Sequence, residues 1–180
     1  YMIQFENDPD SATAPAQIVR VVHKLDSLVD RQTLSLGSFG FGSFMFDIPP
    51  ARTFYQTRLD VRDSLNLYVD FTAQLSGDSI VWLFESLDPT TLLPPLNPLS
   101  GFLPVNDDAH RGEGFVTYTI SPLESLQTGS QIHAQAKIFF DDNYPIFTPN
   151  KFNTMDVGIP SSVIKSVQAE SPSTFTLRWN

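Results

Sequence analysis

The stretch from Leu65 to Glu85 reads LNLYVDFTAQLSGDSIVWLFE, and it decides the fold class. From residue 65 to residue 75 every second side chain is apolar, and those between are mostly polar. A period of two is typical of a strand with one face buried and the other in solvent. Gly77-Asp78 can turn the chain, and a second alternating run follows it. The stretch therefore predicts a β-hairpin.

The same period recurs along most of the chain and predicts an all-β protein, an antiparallel Ig-like β-sandwich. The run of Gly and Phe over residues 37–44 is interpreted as strand, turn and strand, with glycines at positive φ and phenylalanines in the core. A short turn near residues 26–32 is the best helix candidate. The predicted strands are 1–6, 16–25, 33–39, 42–47, 53–62, 65–76, 79–87, 114–121, 131–140 and 145–148.

A long proline-rich connection over residues 88–113 interrupts the pattern. Connections of this length either pack as functional loops or remain mobile. The leucines of this connection favour a loop that packs on the sandwich.

Composition limits the classes of partner. Eleven basic and twenty acidic residues give a formal charge of −9, which disfavours nucleic acid because phosphate binding needs clustered Lys and Arg. The sequence has no run of five basic residues and no apolar run near 18 residues, so we expect neither a polybasic membrane contact nor membrane insertion. It also has no cysteine, which excludes disulfides and thiolate metal sites.

The chain is expected to contain one module and the start of another. Its 180 residues suffice for one sandwich that buries roughly 70% of the unfolded surface. Gly158 and Pro160 favour a boundary, so we predict an Ig-like β-sandwich over 1–157, with a linker and the first strand or strands of a following module over 158–180. Both ends read as strands, and we expect the chain to be a piece of a longer polypeptide.

Two acidic loops are candidate calcium sites, because Ca²⁺ takes six to eight oxygen ligands. One follows the predicted strand 131–140 and is stiffened by two prolines, and the other follows the first strand. In an Ig-like topology we expect these loops at opposite ends, as separate sites. The alternatives are Asx turns for the first loop and a solvated connection or the N-cap of a short turn for the second. The candidate metal ligands are Asp141, Asp142 and Asn143 in the first loop and Glu6, Asp8 and Asp10 in the second, with Asp107, Asp108 and Glu113 as a third cluster.

The segment over residues 136–156 also carries a family resemblance. Ala136-Lys137-Ile138-Phe139-Phe140-Asp141-Asp142-Asn143-Tyr144-Pro145-Ile146, Thr148-Pro149 and Phe152-Asn153-Thr154-Met155-Asp156 resemble the end of Ig-like repeat domains from very large secreted bacterial surface proteins, which often lie beside calcium-binding repeats. Weaker similarity extends to about residues 1–157. Tyr144 stands where that family often has Glu, which removes one carboxylate from the turn.

The resemblance implies a secreted or cell-surface protein with a structural or adhesive role. Expected partners are neighbouring domains of the same polypeptide and cell-surface or matrix glycans or proteins. The alternatives are a carbohydrate-binding module and an accessory domain of an extracellular hydrolase. In the former, Tyr55, Tyr68 and Tyr118 would line an exposed face. The role that we favour for these tyrosines is cross-strand packing.

The sequence offers little support for catalysis. It lacks a Gly-x-Ser-x-Gly elbow, a phosphate-binding glycine loop and a His-Glu-x-x-His motif. The three histidines have no zinc-site spacing, and we expect His23 and His133 on the surface or on a sheet face. We therefore expect a protein that is not an enzyme.

Overall fold

The computed structural model describes residues 1–158 and 162–179, and most of these residues lie in β-strands or in short turns between them. Within those ranges it has fourteen strands and one helical turn. The elements are β1 (Met2–Glu6), β2 (Ile18–Lys24), β3 (Val29–Phe41), β4 (Phe44–Phe46), β5 (Phe54–Asp60), α1 (Arg62–Leu65), β6 (Tyr68–Ser76), β7 (Ser79–Leu87), β8 (Glu113–Pro122), β9 (Gln131–Ala134), β10 (Ala136–Phe140), β11 (Ile146–Phe147), β12 (Lys151–Thr154), β13 (Ile164–Ser171) and β14 (Thr174–Trp179).

Two antiparallel sheets face each other. One has four strands in the order β1-β8-β3-β4, and the other has six in the order β11-β10-β2-β7-β6-β5. Their inner faces meet in an aromatic core, where Phe39 of β3 stacks on Phe71 of β6 at 3.5 Å between ring centroids. The predicted all-β antiparallel sandwich is confirmed, whereas its Ig-like assignment stays a prediction.

The hairpin predicted from residues 65–85 is formed by β6 and β7. Leu75 pairs with Ile80 and Ser76 with Ser79 around the Gly77-Asp78 turn, where Gly77 has φ +63°. The alternation also places side chains as predicted. The fully buried ones are Val69, Phe71, Ala73, Ile80, Trp82 and Phe84.

The Gly-Phe run forms β3, a turn and β4, as predicted, with Phe39 and Phe41 buried. Only one of its three glycines has a positive φ, namely Gly42 at +50° in the turn. Gly40 lies inside β3, where an added Cβ would be 2.4 Å from the carbonyl oxygen of Phe44. Glycine at residue 40 is therefore required by a close approach of two backbones.

The predicted strand 131–140 is divided at Gln135. The part before it, β9, pairs with β12 in a small two-stranded sheet, and the part after it, β10, pairs with β2 in the six-stranded sheet. The apolar alternation continues across the break, so periodicity alone could not reveal it. The break exposes the carbonyl of Gln135 to a side chain of the core, described below.

The helix candidate at residues 26–32 was wrong. Asp26 instead caps a turn by accepting the backbone N–H of Leu28 at 3.0 Å, and β3 begins at Val29. The helical turn is α1, and it ends at Asn66, whose φ of 54° is left-handed. Asn tolerates this conformation better than most residues, so the strand predicted from residue 65 begins three residues later.

The 88–112 loop packs differently from the prediction. Its leucines at positions 92, 93, 96 and 99 are 47 to 101% exposed, whereas Phe102 and Leu103 are fully buried. The loop is nevertheless held in place. Asp88 accepts the N–H groups of Thr90 and Thr91, and Gln17 donates to the carbonyl of Asn97 at 2.8 Å.

A separate hairpin of β13 and β14 follows the sandwich. Pairing in register puts six apolar side chains on one of its faces and leaves the other face polar. Five of the six are 47 to 66% exposed. The predicted linker begins at residue 158, and its positions 159–161 lie outside the described residues. The apolar face comprises Ile164, Val167, Ala169, Phe175, Leu177 and Trp179.

Candidate functional site

Asp141 lies in the turn after β10 and holds that turn against the start of β2. Its Oδ1 accepts the backbone N–H groups of Gln17 at 2.9 Å and Ile18 at 2.8 Å. Its own N–H donates to the Ile18 carbonyl at 2.8 Å, and its φ is 50°. Asp141 thus joins two segments more than 120 residues apart, and only part of its carboxylate remains free for another ligand. Its neighbour Asp142 is exposed.

In the loop after β1, Asp8 caps a short turn of the Asx type. Asp8 accepts the N–H of Asp10 at 3.0 Å and the hydroxyl of Ser11 at 3.2 Å. The Glu6 carboxylate instead accepts the side-chain amide of Asn106 at 2.8 Å. Both oxygens of Asp8 and one of Glu6 therefore already have donors.

The two acidic loops lie at the same end of the sandwich, so the expectation of opposite ends was wrong. Glu6 and Asp8 from one loop and Asn143 from the other line a single cavity of about 240 Å³. The reason is that β1 and β10 end side by side, with the rings of Phe5 and Phe140 6.5 Å apart. The predicted ligands Glu6, Asp8 and Asn143 are thus brought together.

Calcium binding at this cavity stays a prediction. Within residues 1–158 and 162–179, no three His, Asp or Glu side chains lie close enough together to hold one ion. The oxygens at the cavity belong to Glu6, Asp8 and the amide of Asn143. An ion there would need further ligands from backbone carbonyls or water, both of which Ca²⁺ accepts.

The third acidic cluster forms a network of paired side chains. His110 Nδ1 lies 2.6 Å from Glu113 Oε1, and Asn106 also reaches Glu113, at 3.3 Å. The hydrogen bond to Glu113 raises the pKa of His110, and the same bond lowers the pKa of Glu113. Arg111 Nε donates to Asp107 Oδ2 at 2.7 Å. Glu113 and Asp107 therefore already have hydrogen-bond partners within their own loop, whereas Asp108 is exposed.

A buried polar contact joins the two sheets, and it was not predicted from the sequence. His23 of β2 and Tyr118 of β8 are each 2% exposed, and the Tyr118 hydroxyl lies 2.8 Å from His23 Nε2. His23 Nδ1 lies 3.1 Å from the carbonyl of Gln135, which can only accept. Nδ1 therefore carries the hydrogen, and the Tyr118 hydroxyl donates to Nε2.

His23 was expected on the surface or on a sheet face, and it lies on the buried face of its sheet; Tyr118 is buried as well, which agrees with a packing role and not with an exposed sugar-binding face. His23 has the same alternation phase as Val19 and Val21, both fully buried, and that phase was the available signal. Burial lowers the pKa of His23 despite the hydrogen bond to Gln135, and burial also raises the pKa of Tyr118. The pair is suited to a neutral, structural role in the core.

The other two tyrosines considered for a sugar-binding face have intramolecular partners. Tyr55 lies against Phe39 and Phe71, each at 6.4 Å between ring centroids. Arg62 lies over the ring of Tyr68 at 4.9 Å. These contacts favour the packing role.

Comparison with known proteins gives one finding. A family described as a domain of unknown function, DUF7619, matches residues 100–155, which run from the end of the long loop to the end of β12. The match covers about a third of the chain and includes the paired acidic cluster, Tyr118 and the Asp141 turn. No curated protein and no solved structure matches the chain. Among the described residues, no helix has the length and apolar character needed to cross a membrane.

Proposed function

We propose that this chain is a non-catalytic structural or adhesive module of a large secreted bacterial surface protein. In this proposal the sandwich is of the Ig-like repeat type, and it spaces or presents neighbouring domains. The observation that supports it most directly is the two-faced hairpin of β13 and β14.

The hairpin requires a covering layer. A two-stranded hairpin is only marginally stable in water, and each Å² of apolar surface left uncovered forgoes about 25 cal/mol. Five of its six apolar residues are 47 to 66% exposed, and all six lie on one face. Strands of an adjoining module of the same polypeptide would complete a second sandwich on this face. Modules that share strands in this way form a stiff array.

Hydrogen exchange on the chain of 180 residues tests the hairpin argument. We expect the amides of β13 and β14 to exchange much faster than those of β6 and β7, because local stability follows buried apolar contact. Phe175→Thr and Leu177→Thr should reduce the binding of a hydrophobic dye. Gln168→Ala and Thr176→Ala on the polar face are the matched controls. Equal protection of the hairpin and the core strands would contradict the proposal.

We also propose that Ca²⁺ bound at the cavity lined by Glu6, Asp8 and Asn143 rigidifies the module, and this part of the proposal has its own test. An ion that binds only the folded state raises the melting temperature by mass action. We expect the melting temperature to fall when calcium is replaced by EDTA, and Glu6→Gln should shrink this difference. Identical melting curves in calcium and in EDTA, after complete removal of metal, would refute calcium binding while leaving the modular role in place.

A further inference from the structure

An open groove of about 770 Å³ lies at the end of the sandwich where the turns after β2 and β6 meet the crossing from β9 to β10. This is the size range of small-molecule sites in proteins. None of the predicted metal ligands lines it. The groove is therefore distinct from the acidic cavity at Glu6 and Asn143.

The groove gathers positive charge in an acidic protein. Three of the chain's eleven basic residues line it, Lys24, Arg31 and Lys137, against two carboxylates, Asp26 and Asp78. The formal balance at the groove is thus +1, on a chain whose net charge is −9.

Both carboxylates of the groove already have partners. Asp78 lies 3.3 Å from Lys24 Nζ. Asp26 accepts the backbone N–H groups of Leu28 at 3.0 Å and His133 at 2.8 Å. Partial burial acts to raise the pKa of Asp26, but the backbone hydrogen bonds from His133 and Leu28, together with the His133 ring and the Ser27 hydroxyl, outweigh it and lower the pKa. Asp26 therefore stays charged, and its oxygens are occupied by contacts within the protein.

Two cations remain for a ligand. Within residues 1–158 and 162–179, neither Arg31 nor Lys137 has a carboxylate at ion-pair distance, and both are exposed. An arginine presents a planar fork of donors that matches carboxylate and sulfate groups, and a lysine adds a mobile point charge.

The uncharged lining indicates what carries the anion. Phe147 pairs with Lys137 in register and is 54% exposed, and the Lys137 Nζ lies 5.5 Å from its ring centroid. Ser27, Gln135 and Asn150 add hydroxyl and amide groups. A sugar ring has an apolar C–H face for an aromatic ring and hydroxyls for amides. A peptide with apolar anchors would instead require pockets for those anchors.

We propose that this groove binds an anionic saccharide, whose carboxylate or sulfate group contacts Arg31 and Lys137 while its ring lies on Phe147. Binding at this site needs neither calcium nor an adjoining module. It therefore stands or fails independently of the structural role proposed above.

Calorimetric titration of the chain tests this proposal with four probes: oligomers of galacturonic acid, chondroitin sulfate oligosaccharides, neutral galactose oligomers and a polyglutamate peptide. EDTA is present throughout, so that calcium cannot bridge protein and sugar. We expect an acidic saccharide probe to bind, to bind more weakly as salt is added, and to bind more tightly than the neutral probe. Binding by the galacturonic acid oligomers would show that a carboxylate is sufficient, whereas binding by chondroitin sulfate alone would show that a carboxylate on a sugar ring is not.

Variants localise the binding. Arg31→Gln and Lys137→Gln should each weaken the acidic probe about tenfold, the loss of one charge-assisted contact. Arg178→Gln in β14 changes the net charge equally but lies outside the groove, and should leave affinity unchanged. Phe147→Ala should weaken binding without altering its salt dependence. Because these side chains are exposed, thermal melts should confirm intact folding, and Arg31→Lys supplies a milder variant with the charge retained.

Four results would overturn the proposal. They are no binding of either acidic saccharide probe, equal binding of the neutral probe, equal weakening by Arg178→Gln, and equal or tighter binding of a polyglutamate peptide. The last result would identify the ligand as an acidic peptide.

Discussion

His23 lies in the core with both ring nitrogens engaged, and its protonation would disturb the contact with Tyr118. An imidazolium has a hydrogen on each nitrogen, so Nε2 could no longer accept the tyrosine hydroxyl. The hydroxyl would have to rotate and lose its acceptor in an apolar setting. The neutral form is therefore favoured in the folded state, in agreement with the lowered pKa.

This contact predicts acid sensitivity. A histidine in the unfolded chain has a pKa of about 6.5, and His23 in the folded chain has a lower one. Below pH 6.5 the unfolded state therefore binds more protons than the folded state. As the pH is lowered, the free energy of unfolding decreases by up to about 1.4 kcal/mol per pH unit, until the pH reaches the folded-state pKa of His23. Urea denaturation at pH 7.5 and 5.5 measures the difference.

Two histidine variants should change the pH dependence of stability in opposite directions. His23→Gln removes this proton uptake, so its stability should depend less on pH in the same window. The pKa of His110 is raised by Glu113, so its contribution is present below pH 6.5 and lost as pH rises through the folded pKa. His110→Gln should therefore make the loss on acidification steeper. An unchanged pH profile for His23→Gln would contradict the assignment.

Asp141 can be tested for whether it acts as a hydrogen-bond acceptor or as a metal ligand. Asp141→Asn retains an oxygen for the N–H groups of Gln17 and Ile18 and tolerates a positive φ, so stability should hardly change in EDTA. Asp141→Ala removes the acceptor and should cost about 1–2 kcal/mol. The matched control Asp142→Ala should stay within about 0.5 kcal/mol. A large loss in Asp141→Asn that appears only with calcium present would instead indicate a metal ligand.

Among the strands, β8 leaves the least room for larger side chains, because it is an interior strand that lies between β1 and β3. Gly114 is buried there, and an added Cβ would be 2.3 Å from Cε2 of Phe5. We expect Gly114→Ala to lower the free energy of unfolding by about 1–3 kcal/mol, as overpacking usually does. Urea denaturation measures this loss. Thr119→Ala, on an exposed position of the same strand, is the control.

A second substitution checks the cause. Phe5→Leu shortens the side chain that the new methyl would meet, so it should restore part of the stability lost by Gly114→Ala. If the two losses simply add, the clash with Phe5 is not the reason.

Strands were predictable from the sequence where one alternating face packs on the core. They were less predictable where tertiary contacts determine where a strand begins, ends or changes sheet. Residues 65–85 show the first case, because alternation and a Gly-containing turn specify both pairing and burial. Gln135 shows the second, since β9 and β10 belong to different sheets although the alternation continues. The turn at Asn66 shows a third, because left-handed backbone at one asparagine outweighed an apolar pattern.

For the whole molecule, the sequence predicted the architecture better than the candidate sites. Alternation is local, and it was enough for an antiparallel sandwich. The convergence of the Glu6 and Asn143 loops depends on strand order between two sheets, which local pattern does not encode. The groove at Arg31 and Lys137 gathers side chains from five separate segments, and no spacing in the sequence connects them.

We expect the chain to tolerate a cut in the exposed loop between β7 and β8. It separates two parts of the chain that are interleaved in space: β8 lies between β1 and β3, and β10 pairs with β2. A protease that cleaves near Leu96, which is fully exposed, would yield two fragments that remain associated through the hydrogen bonds between their strands. They would part only in denaturant. Expressed separately, the halves should reassemble, giving the molecule the properties of a split reporter.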